Sequence, residues 1–449
     1  MDKEYQEIYR SRRQRLLDVV DGVVLIFANV ETVRNNDVFH SFRQDSDFFY
    51  LTGFDEPDAA LLLDKKAAPG QRTTLFLRPR NPEREIWDGH RLGVERAVEA
   101  LGIDAAQPIE ALSEVLKSLL PERSCLNYQM GQPFRVEQDK IVLDALSVAN
   151  RRRKNFESVH RIEGLSPTLH EMRLVKDSIE IETMRKAASL TALGHKRAME
   201  AVRPDVCEYQ LQHAMEYEWL SRGAQRNAYP SIVGSGPNAC ILHYHPGARA
   251  CQAGELVLID AGCEMDGYAC DVTRTFPVSG RFSPSQKEIY ELVLNAQRHA
   301  IELCKPGHTY AEIHQATIKW LVEGLVVLGL LKGDVDKLIE EKAFLRFYMH
   351  GTGHWLGMDV HDVGAYRIED KDRPLKHGMV LTIEPGLYIS PDDESVEEKY
   401  RGIGIRIEDD ILVTDTGPVI LTDEIPKSIE DVEGITGRSP LPETEIFRQ

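Results

Sequence analysis

The chain has 449 residues, more than a single hydrophobic core usually organises, so its length favours two domains. Its 54 basic and 72 acidic residues give a net charge of −18, and only the short run 151–154 (RRRK), which we interpret as a solvated linker, concentrates basic side chains, so no nucleic-acid partner is expected. Residues 1–18 contain no apolar signal core, and polar residues interrupt the longest apolar stretch, 19–30, which argues against secretion and against a membrane span.

The first third of the chain has the pattern of an α/β domain. Short apolar runs bounded by turn residues predict strands, and an apolar stripe at helical spacing predicts a helix between Ile109 and Leu119. A charged stretch, 151–173, then marks a boundary near Met172. The predicted strands are 22–30 (GVVLIFANV), 47–54 (DFFYLTGF), 59–64 (AALLLD) and 73–79 (TTLFLRP).

The remainder of the chain predicts a larger domain that repeats one pattern. A helix begins with the capping box of Asp177 and Glu180 and should run to about Val202, and a second capping box, Ser283 with Gln286, opens another long helix. A further helix and strands follow each of them, which indicates a duplicated helix-helix-sheet unit with a site where the halves meet. We therefore expect an α/β domain at 1–172, a larger domain at 173–440 and a tail at 441–449.

Two aspartates occupy strand positions of the first half. Asp260 ends an apolar run and Asp271 lies on the next strand, and a turn centred between Met265 and Asp266 would place them directly opposite each other. Their Cβ atoms would then be roughly 5 Å apart. Two ionised carboxylates at that distance repel, so the pair requires a proton or a cation, unless both side chains face water.

Two glutamates occupy comparable positions in the second half. Glu384 closes the apolar strand GMVLTIEPGLYI, and Glu408 lies among alternating isoleucines in GIGIRIEDDILVT. Arg406 lies two residues before Glu408, on the same face, and could neutralise one of the four acids. Buried carboxylates in this number favour a metal site.

Histidines are concentrated in the segment 350–362 (HGTGHWLGMDVHD). Gly351 and Gly353 make a helical pair of zinc ligands improbable, and the chain contains no HExxH motif, so thermolysin-type zinc chemistry is not expected. One histidine with several carboxylates suits manganese, cobalt or iron, and bridging carboxylates suit two ions about 3.5 to 4 Å apart.

These residues and their contexts carry a family resemblance. LVLIDAG, CDVTRTF, HGTGHWLGMDVHD, TIEPGLY and IRIEDD resemble the metallopeptidases of the pita-bread fold, and among them the aminopeptidase P group. RQDSDFFYLTGFDEPDAALLL and EIWDGHRLG are similar to the amino-terminal domain of bacterial aminopeptidase P. The resemblance implies an α/β fold: a smaller amino-terminal domain, then a pita-bread domain whose two halves are related by a pseudo-twofold axis.

The resemblance also implies roles for individual residues. Asp260 would bind one divalent ion, Asp271 and Glu408 would bridge two, and His354 with Glu384 would complete the other. The ions are expected to be Mn²⁺ above all, with Co²⁺, Fe²⁺ and Zn²⁺ as alternatives, and to hold the attacking hydroxide between them. Glu384 would transfer the proton. The remaining site residues would be catalytic His243 and His361 and substrate-binding His350, Tyr229, Tyr388, Arg406 and Trp87.

The implied substrate is a peptide with proline in its second position. Proline has no backbone N–H and a fixed φ, so it does not fit the hydrogen-bonding template of most peptidases and requires its own pocket. Trp87 would reach the site of a neighbouring subunit in a homo-oligomer, a dimer or a tetramer. The seven cysteines form no CxxC pair, which fits a reducing cytoplasm. The alternatives are prolidase, less readily methionine aminopeptidase, and a non-peptidase or binding protein of this fold.

Overall fold

In a computed structural model, the chain forms two compact units, 1–172 and 173–449. The structure describes residues 3–151 and 158–442, so most of the predicted basic linker and residues 443–449 of the predicted tail lie outside the described residues. Within the described ranges, no helix combines the length and the apolar character needed to cross a membrane.

The first unit is built on a mixed six-stranded sheet. The strand order is β6-β5-β4-β1-β7-β8, with antiparallel pairing around β4 and parallel pairing at both sides. Its helices are α1 (Lys3–Val19), α2 (Ser46–Thr52), α3 (Pro82–Asp88), α4 (Val94–Leu101), α5 (Leu112–Leu119) and α6 (Val136–Arg151), and α7 (Ser166–Leu174) contains the unit boundary. Its strands are β1 (Val23–Phe27), β2 (Val33–Asn35), β3 (Val38–Phe39), β4 (Ala60–Asp64), β5 (Thr73–Leu77), β6 (Ala105–Pro108), β7 (Cys125–Asn127) and β8 (Arg161–Glu163).

Three of the four predicted strands are confirmed as β1, β4 and β5, and the predicted helical stripe is confirmed as a 3₁₀ turn followed by α5. Leu112 and Leu116 of α5 pack on the sheet with Val142 of α6. The prediction of a strand at 47–54 was wrong, because this segment forms α2. The Asp45 side chain accepts a hydrogen bond from the Phe48 N–H at 2.8 Å and begins the helix, and Gly53, with φ of 60°, ends it.

The second unit contains two sets of helices and antiparallel strands. Its sheets include β10-β11-β14 and β17-β20-β21. The helices are α8 (Ser178–Ala201), α9 (Glu208–Leu220), α10 (Pro284–Glu302), α11 (Tyr310–Val327), α12 (Val335–Glu340) and α13 (Ile429–Ile435). The strands are β9 (Arg226–Asn227), β10 (Ile232–Ser235), β11 (Leu256–Asp260), β12 (Cys263–Met265), β13 (Tyr268–Ala269), β14 (Thr273–Pro277), β15 (Arg367–Ile368), β16 (Lys371–Asp372), β17 (Val380–Ile383), β18 (Gly386–Tyr388), β19 (Gly404–Arg406), β20 (Asp409–Thr414) and β21 (Gly417–Ile420).

The predicted duplication corresponds to this arrangement. A packed helix pair precedes the first sheet, α8 with α9, and another precedes the second sheet, α10 with α11. The two capping boxes form as predicted, Asp177 with Glu180 at the start of α8 and Ser283 with Gln286 at the start of α10. Each half therefore supplies one antiparallel pair of strands, β11 with β14 and β17 with β20, to the region between them.

Candidate metal centre

The second unit contains a cavity of 630 Å³ in which most of the predicted site residues come together. Its walls combine acidic and histidine side chains with apolar ones such as Ile232, Leu242 and Val360. Ten of the twelve predicted site residues line it: Tyr229, His243, Asp260, Asp271, His350, His354, His361, Glu384, Arg406 and Glu408.

The four acids reach the cavity from corresponding positions of the two halves. Asp260 is the last residue of β11, and Glu384 directly follows β17. Asp271 lies two residues before β14, and Glu408 directly precedes β20. The halves join here, because the Glu408 N–H donates to the Thr273 carbonyl at 3.1 Å. Each half of the unit thus supplies two acids, one at or just after the end of one strand and one shortly before the start of the next strand.

The predicted pairing of Asp260 with Asp271 was wrong by two residues. Asp260 lies opposite Thr273, because the hairpin turns at Asp266 and Gly267 and not between Met265 and Asp266. Both turn residues have positive φ, 47° and 79°, which is the conformation of a two-residue type I′ turn and favours the sequence Asp-Gly. The shift is an even number, so Asp260 and Asp271 still point to the same side.

A single tyrosine joins the two aspartates. The Tyr229 hydroxyl lies 2.6 Å from Asp260 Oδ1 and 2.5 Å from Asp271 Oδ1. Asp260 Oδ2 accepts a hydrogen bond from Arg406 Nη2 at 2.6 Å, which identifies Asp260 as the acid that Arg406 neutralises. One hydroxyl has only one proton, so it can satisfy only one of the two carboxylates at a time.

Three side chains form a group with the geometry of a metal site. One ligand atom from each of Asp271, His354 and Glu408 lies within 4.8 Å of the other two. Glu384 is adjacent, with Oε1 3.7 Å from His354 Nε2. Carboxylate oxygens with one imidazole nitrogen are the donor set that Mn²⁺, Fe²⁺, Co²⁺ and Zn²⁺ accept.

The backbone around His354 orients this imidazole. Its Nδ1 lies 3.0 Å from the Trp355 carbonyl oxygen, which can only accept, so Nδ1 carries a proton and Nε2 is the atom that faces Asp271, at 3.3 Å. The His354 N–H donates to Thr382 Oγ1 at 3.0 Å, and the Thr382 N–H donates to the His354 carbonyl at 2.9 Å. Gly353 permits this approach, because a Cβ at that position would lie 1.8 Å from the Thr382 carbonyl oxygen.

Comparisons with known proteins identify the family. Residues 182–415 match the model of metallopeptidase family M24, and residues 9–127 match the amino-terminal domain of aminopeptidase P. The chain is 47% identical over 437 residues to the Xaa-Pro aminopeptidase of Haemophilus influenzae and 44% identical over 438 residues to that of Escherichia coli, and each comparison covers 97% of this chain and 98% of the relative. The chain belongs to metallopeptidase family M24.

Solved structures agree with this assignment and with the pita-bread fold. The Pseudomonas aeruginosa aminopeptidase PepP superimposes with a TM-score of 0.93 at 45% identity, covering 96% of this chain and 97% of the other. The zinc-substituted Escherichia coli aminopeptidase P in complex with product superimposes with a TM-score of 0.92 at 44% identity, covering 96% and 98%.

Within this M24 unit, burial sets the protonation of the acids. Burial raises the pKa of Glu384 to about 7 and raises the pKa values of Asp260 and Glu408 above their usual range. Burial opposes ionisation of Asp271 as well, but the hydrogen bond and charge of His354 lower its pKa. Burial by itself would lower the pKa of His354. The hydrogen bond to Asp271 and the charge of that carboxylate have the larger combined effect and raise the His354 pKa to about 9. The residues fit a divalent cation, which would take the place of these protons.

The other predicted histidines differ in their surroundings. His350 is half-buried, with Nε2 2.8 Å from the Tyr388 hydroxyl, and burial lowers its pKa to about 3, so it is neutral. His361 is exposed, and its ring packs edge-on against His354 with centroids 4.3 Å apart. His243 is exposed on the cavity wall. Neutral or exposed imidazoles at a cavity wall can donate to, or accept from, a bound peptide.

Two predicted site residues do not line the cavity. Tyr388 is buried behind it and connects His350 to Arg406, whose Nη1 donates to the Tyr388 hydroxyl at 2.8 Å. Trp87 lies in α3 of the first unit with 83% of its surface exposed.

Sequence reasoning missed two residues of this site. His245 lines the cavity, and its spacing of two from His243 was the available signal. Thr273 donates to Glu408 Oε2 at 2.7 Å and accepts from Arg406 Nε at 3.0 Å. Thr273 opens β14 two residues after Asp271, but a lone threonine has no sequence signature of such a role.

Proposed function

We propose that this chain releases the amino-terminal residue from peptides whose second residue is proline, using two divalent ions. The ions would be held by Asp260, Asp271, His354, Glu384 and Glu408, with Mn²⁺ as the first candidate and Co²⁺, Fe²⁺ or Zn²⁺ as alternatives. The observation that carries this proposal is the group of Asp271, His354 and Glu408 within 4.8 Å of one another, in a chain of family M24.

The protein's own groups would perform the proton transfers and the binding. When bound, divalent ions lower the pKa of water and polarise the scissile carbonyl. Glu384, which lies beside the group of Asp271, His354 and Glu408, would carry the proton from the attacking water to the leaving nitrogen. His243 and His361 would donate to the oxygen that becomes negative in the transition state.

Substrate recognition would involve the residues around Arg406. We assign His350, Tyr229, Tyr388 and Arg406 to the binding of the peptide, because they form one hydrogen-bonded chain that runs from Tyr229 through Asp260 to His350. The apolar wall of the cavity suits a proline ring, which offers no N–H to satisfy.

The alternatives are weaker. Xaa-Pro aminopeptidases match this chain over almost its whole length, and prolidase is not favoured. A binding protein without catalysis is also disfavoured, because all five predicted ligand positions carry a carboxylate or an imidazole.

We further propose a homo-oligomer, a dimer or a tetramer, in the cytoplasm. The adjacent apolar side chains Ile86 and Trp87 are 80% and 83% exposed, and Trp87 would meet the site of a neighbouring subunit. All seven cysteines are free thiols, which is usual in a reducing compartment.

Peptide hydrolysis tests the proposed specificity. Metal-stripped protein is incubated with an Arg-Pro-Pro peptide and with an Xaa-Pro dipeptide, Mn²⁺, Co²⁺ or Zn²⁺ is added back, and the released amino acid is measured. Metal-dependent release from the longer peptide supports the proposal. Release from the dipeptide alone would indicate a prolidase, and no release from either would favour the binding protein.

A further inference from the structure

The segment 235–247 contains two histidines of the cavity wall, His243 and His245, but little regular structure. After Ser235 at the end of β10 it forms a 3₁₀ turn, Gly236–Cys240, then a bend and a turn at 241–243, and residues 244–247 belong to no regular element. A segment without helical or strand hydrogen bonds does not fix a histidine by itself. Contacts from outside the segment must therefore fix the position of its histidines.

One carboxylate binds both ends of this segment. Glu208 is fully buried. Its Oε1 accepts from the Ser235 N–H at 2.9 Å, from Ser235 Oγ at 2.8 Å and from Asn238 Nδ2 at 2.9 Å. Its Oε2 accepts from the Tyr244 hydroxyl at 2.8 Å and from the Gly247 N–H at 3.2 Å. The five bonds enclose His243 and His245 on both sides along the chain.

Helix capping does not account for this carboxylate. Glu208 is the first residue of α9, but the capping box of that helix is formed by Cys207 and Gln210. Buried carboxylates are costly unless they are fully hydrogen-bonded, and all five donors to Glu208 are uncharged groups of the histidine segment. The bonds therefore serve the segment and not the helix.

We propose that Glu208 is a positioning residue that holds His243 at the cavity wall. This inference rests on the proposed function, in which His243 donates to the developing oxyanion. The substitution Glu208→Gln replaces one of the two carboxylate oxygens by an NH₂ group, which donates and cannot accept. Depending on which oxygen is replaced, either the Ser235 N–H or the Gly247 N–H would lose its acceptor. The segment would then sample other positions, and the loss would appear in kcat more than in KM.

The test compares Glu208→Gln and Tyr244→Phe with a matched control, Glu180→Gln. Glu180 is also a buried glutamate in the first turn of a helix, and it accepts from the Tyr268 hydroxyl at 2.8 Å, but Tyr268, unlike Tyr244, lies outside the segment 235–247. The readouts are steady-state kinetics on an Xaa-Pro-Xaa tripeptide with Mn²⁺, bound manganese, and amide hydrogen exchange of the full chain.

Glu208→Gln is expected to lower kcat by about 10- to 100-fold with bound manganese unchanged and to speed exchange in 235–247. Tyr244→Phe, which removes one of the five bonds, should give a smaller loss. Glu180→Gln should keep kcat within about two-fold. An unchanged kcat in Glu208→Gln, or an equal loss in Glu180→Gln, would overturn the proposal. If the unmodified protein cleaves no peptide, the proposed function fails, and unchanged exchange in Glu208→Gln would then reject the positioning of the segment separately.

Discussion

Replacing Gly353 by alanine should displace the histidine that faces Asp271. A Cβ at Gly353 would lie 1.8 Å from the Thr382 carbonyl oxygen, whereas ordinary contact begins at 3.4 Å, so the two backbones must separate by about 1.6 Å. The φ of Gly353 lies outside the left-handed region, so the collision alone is responsible. A site requires its ligands within about 0.5 Å of their productive positions.

The expected loss follows from the bonds that this separation breaks. Two hydrogen bonds connect His354 to Thr382, and each is worth about 1 kcal/mol, so the segment loses roughly 2 kcal/mol together with its orientation. Manganese affinity should fall by about 10- to 100-fold. Bound metal is measured after dialysis against Mn²⁺, with circular dichroism to verify folding.

Gly351→Ala is the matched control in the same motif. A Cβ there would lie 2.8 Å from the Tyr310 hydroxyl, the end of a side chain that can move. We expect this variant to keep its metal affinity within a few-fold of the unmodified protein. Normal manganese binding by Gly353→Ala, or an equal loss in Gly351→Ala, would refute the role assigned to the close approach.

Three further variants have defined outcomes. Glu384→Gln should lower kcat by about 10²- to 10⁴-fold, measured by peptide hydrolysis, and full activity would exclude Glu384 as the proton carrier. Burial lowers the pKa of His195 from 6.5 to about 4, so the folded state resists a proton that the unfolded state binds, and stability is lost as the pH falls through this range. The substitution His195→Gln removes this titration and can keep the 2.9 Å bond to the Ala261 carbonyl. Between pH 7 and pH 5, the free energy of unfolding of this variant should therefore fall by about 2 kcal/mol less than that of the unmodified protein, as measured by urea denaturation. An equal loss in both would show that His195 is not the cause. Trp87→Ala should lower the oligomer size in light scattering, and an unchanged mass would place the subunit contact elsewhere.

The sequence predicted those features that depend on local chemistry. The capping boxes at Asp177 and Ser283 were visible because a cap involves residues three positions apart. The segment 47–54 was misread as a strand because its apolar run is continuous, although Asp45 and Gly53 were the caps of a helix. Short apolar runs do not distinguish the two structures by periodicity alone.

The identities of the acidic site residues could be predicted from the sequence, but the distances and strand register between them could not. Asp260, Glu384 and Glu408 attracted attention because carboxylates seldom occur within or at the end of apolar segments. The hairpin register followed from one Asp-Gly turn that was placed incorrectly. Contacts between residues distant in the chain, such as Glu208 with Gly247, leave no local pattern, so only the folded structure reveals them.

Titration of the metal-stripped protein with Mn²⁺ is the most direct test of the proposed two-metal site. Mn²⁺ is added stepwise while bound ions per chain and release of the amino-terminal residue from an Xaa-Pro-Xaa tripeptide are measured on the same samples. We expect no release without metal, a rise in activity up to two bound ions per chain, and loss of both signals in Asp271→Ala. Full cleavage by the metal-free protein, or by Asp271→Ala without bound manganese, would contradict this proposal.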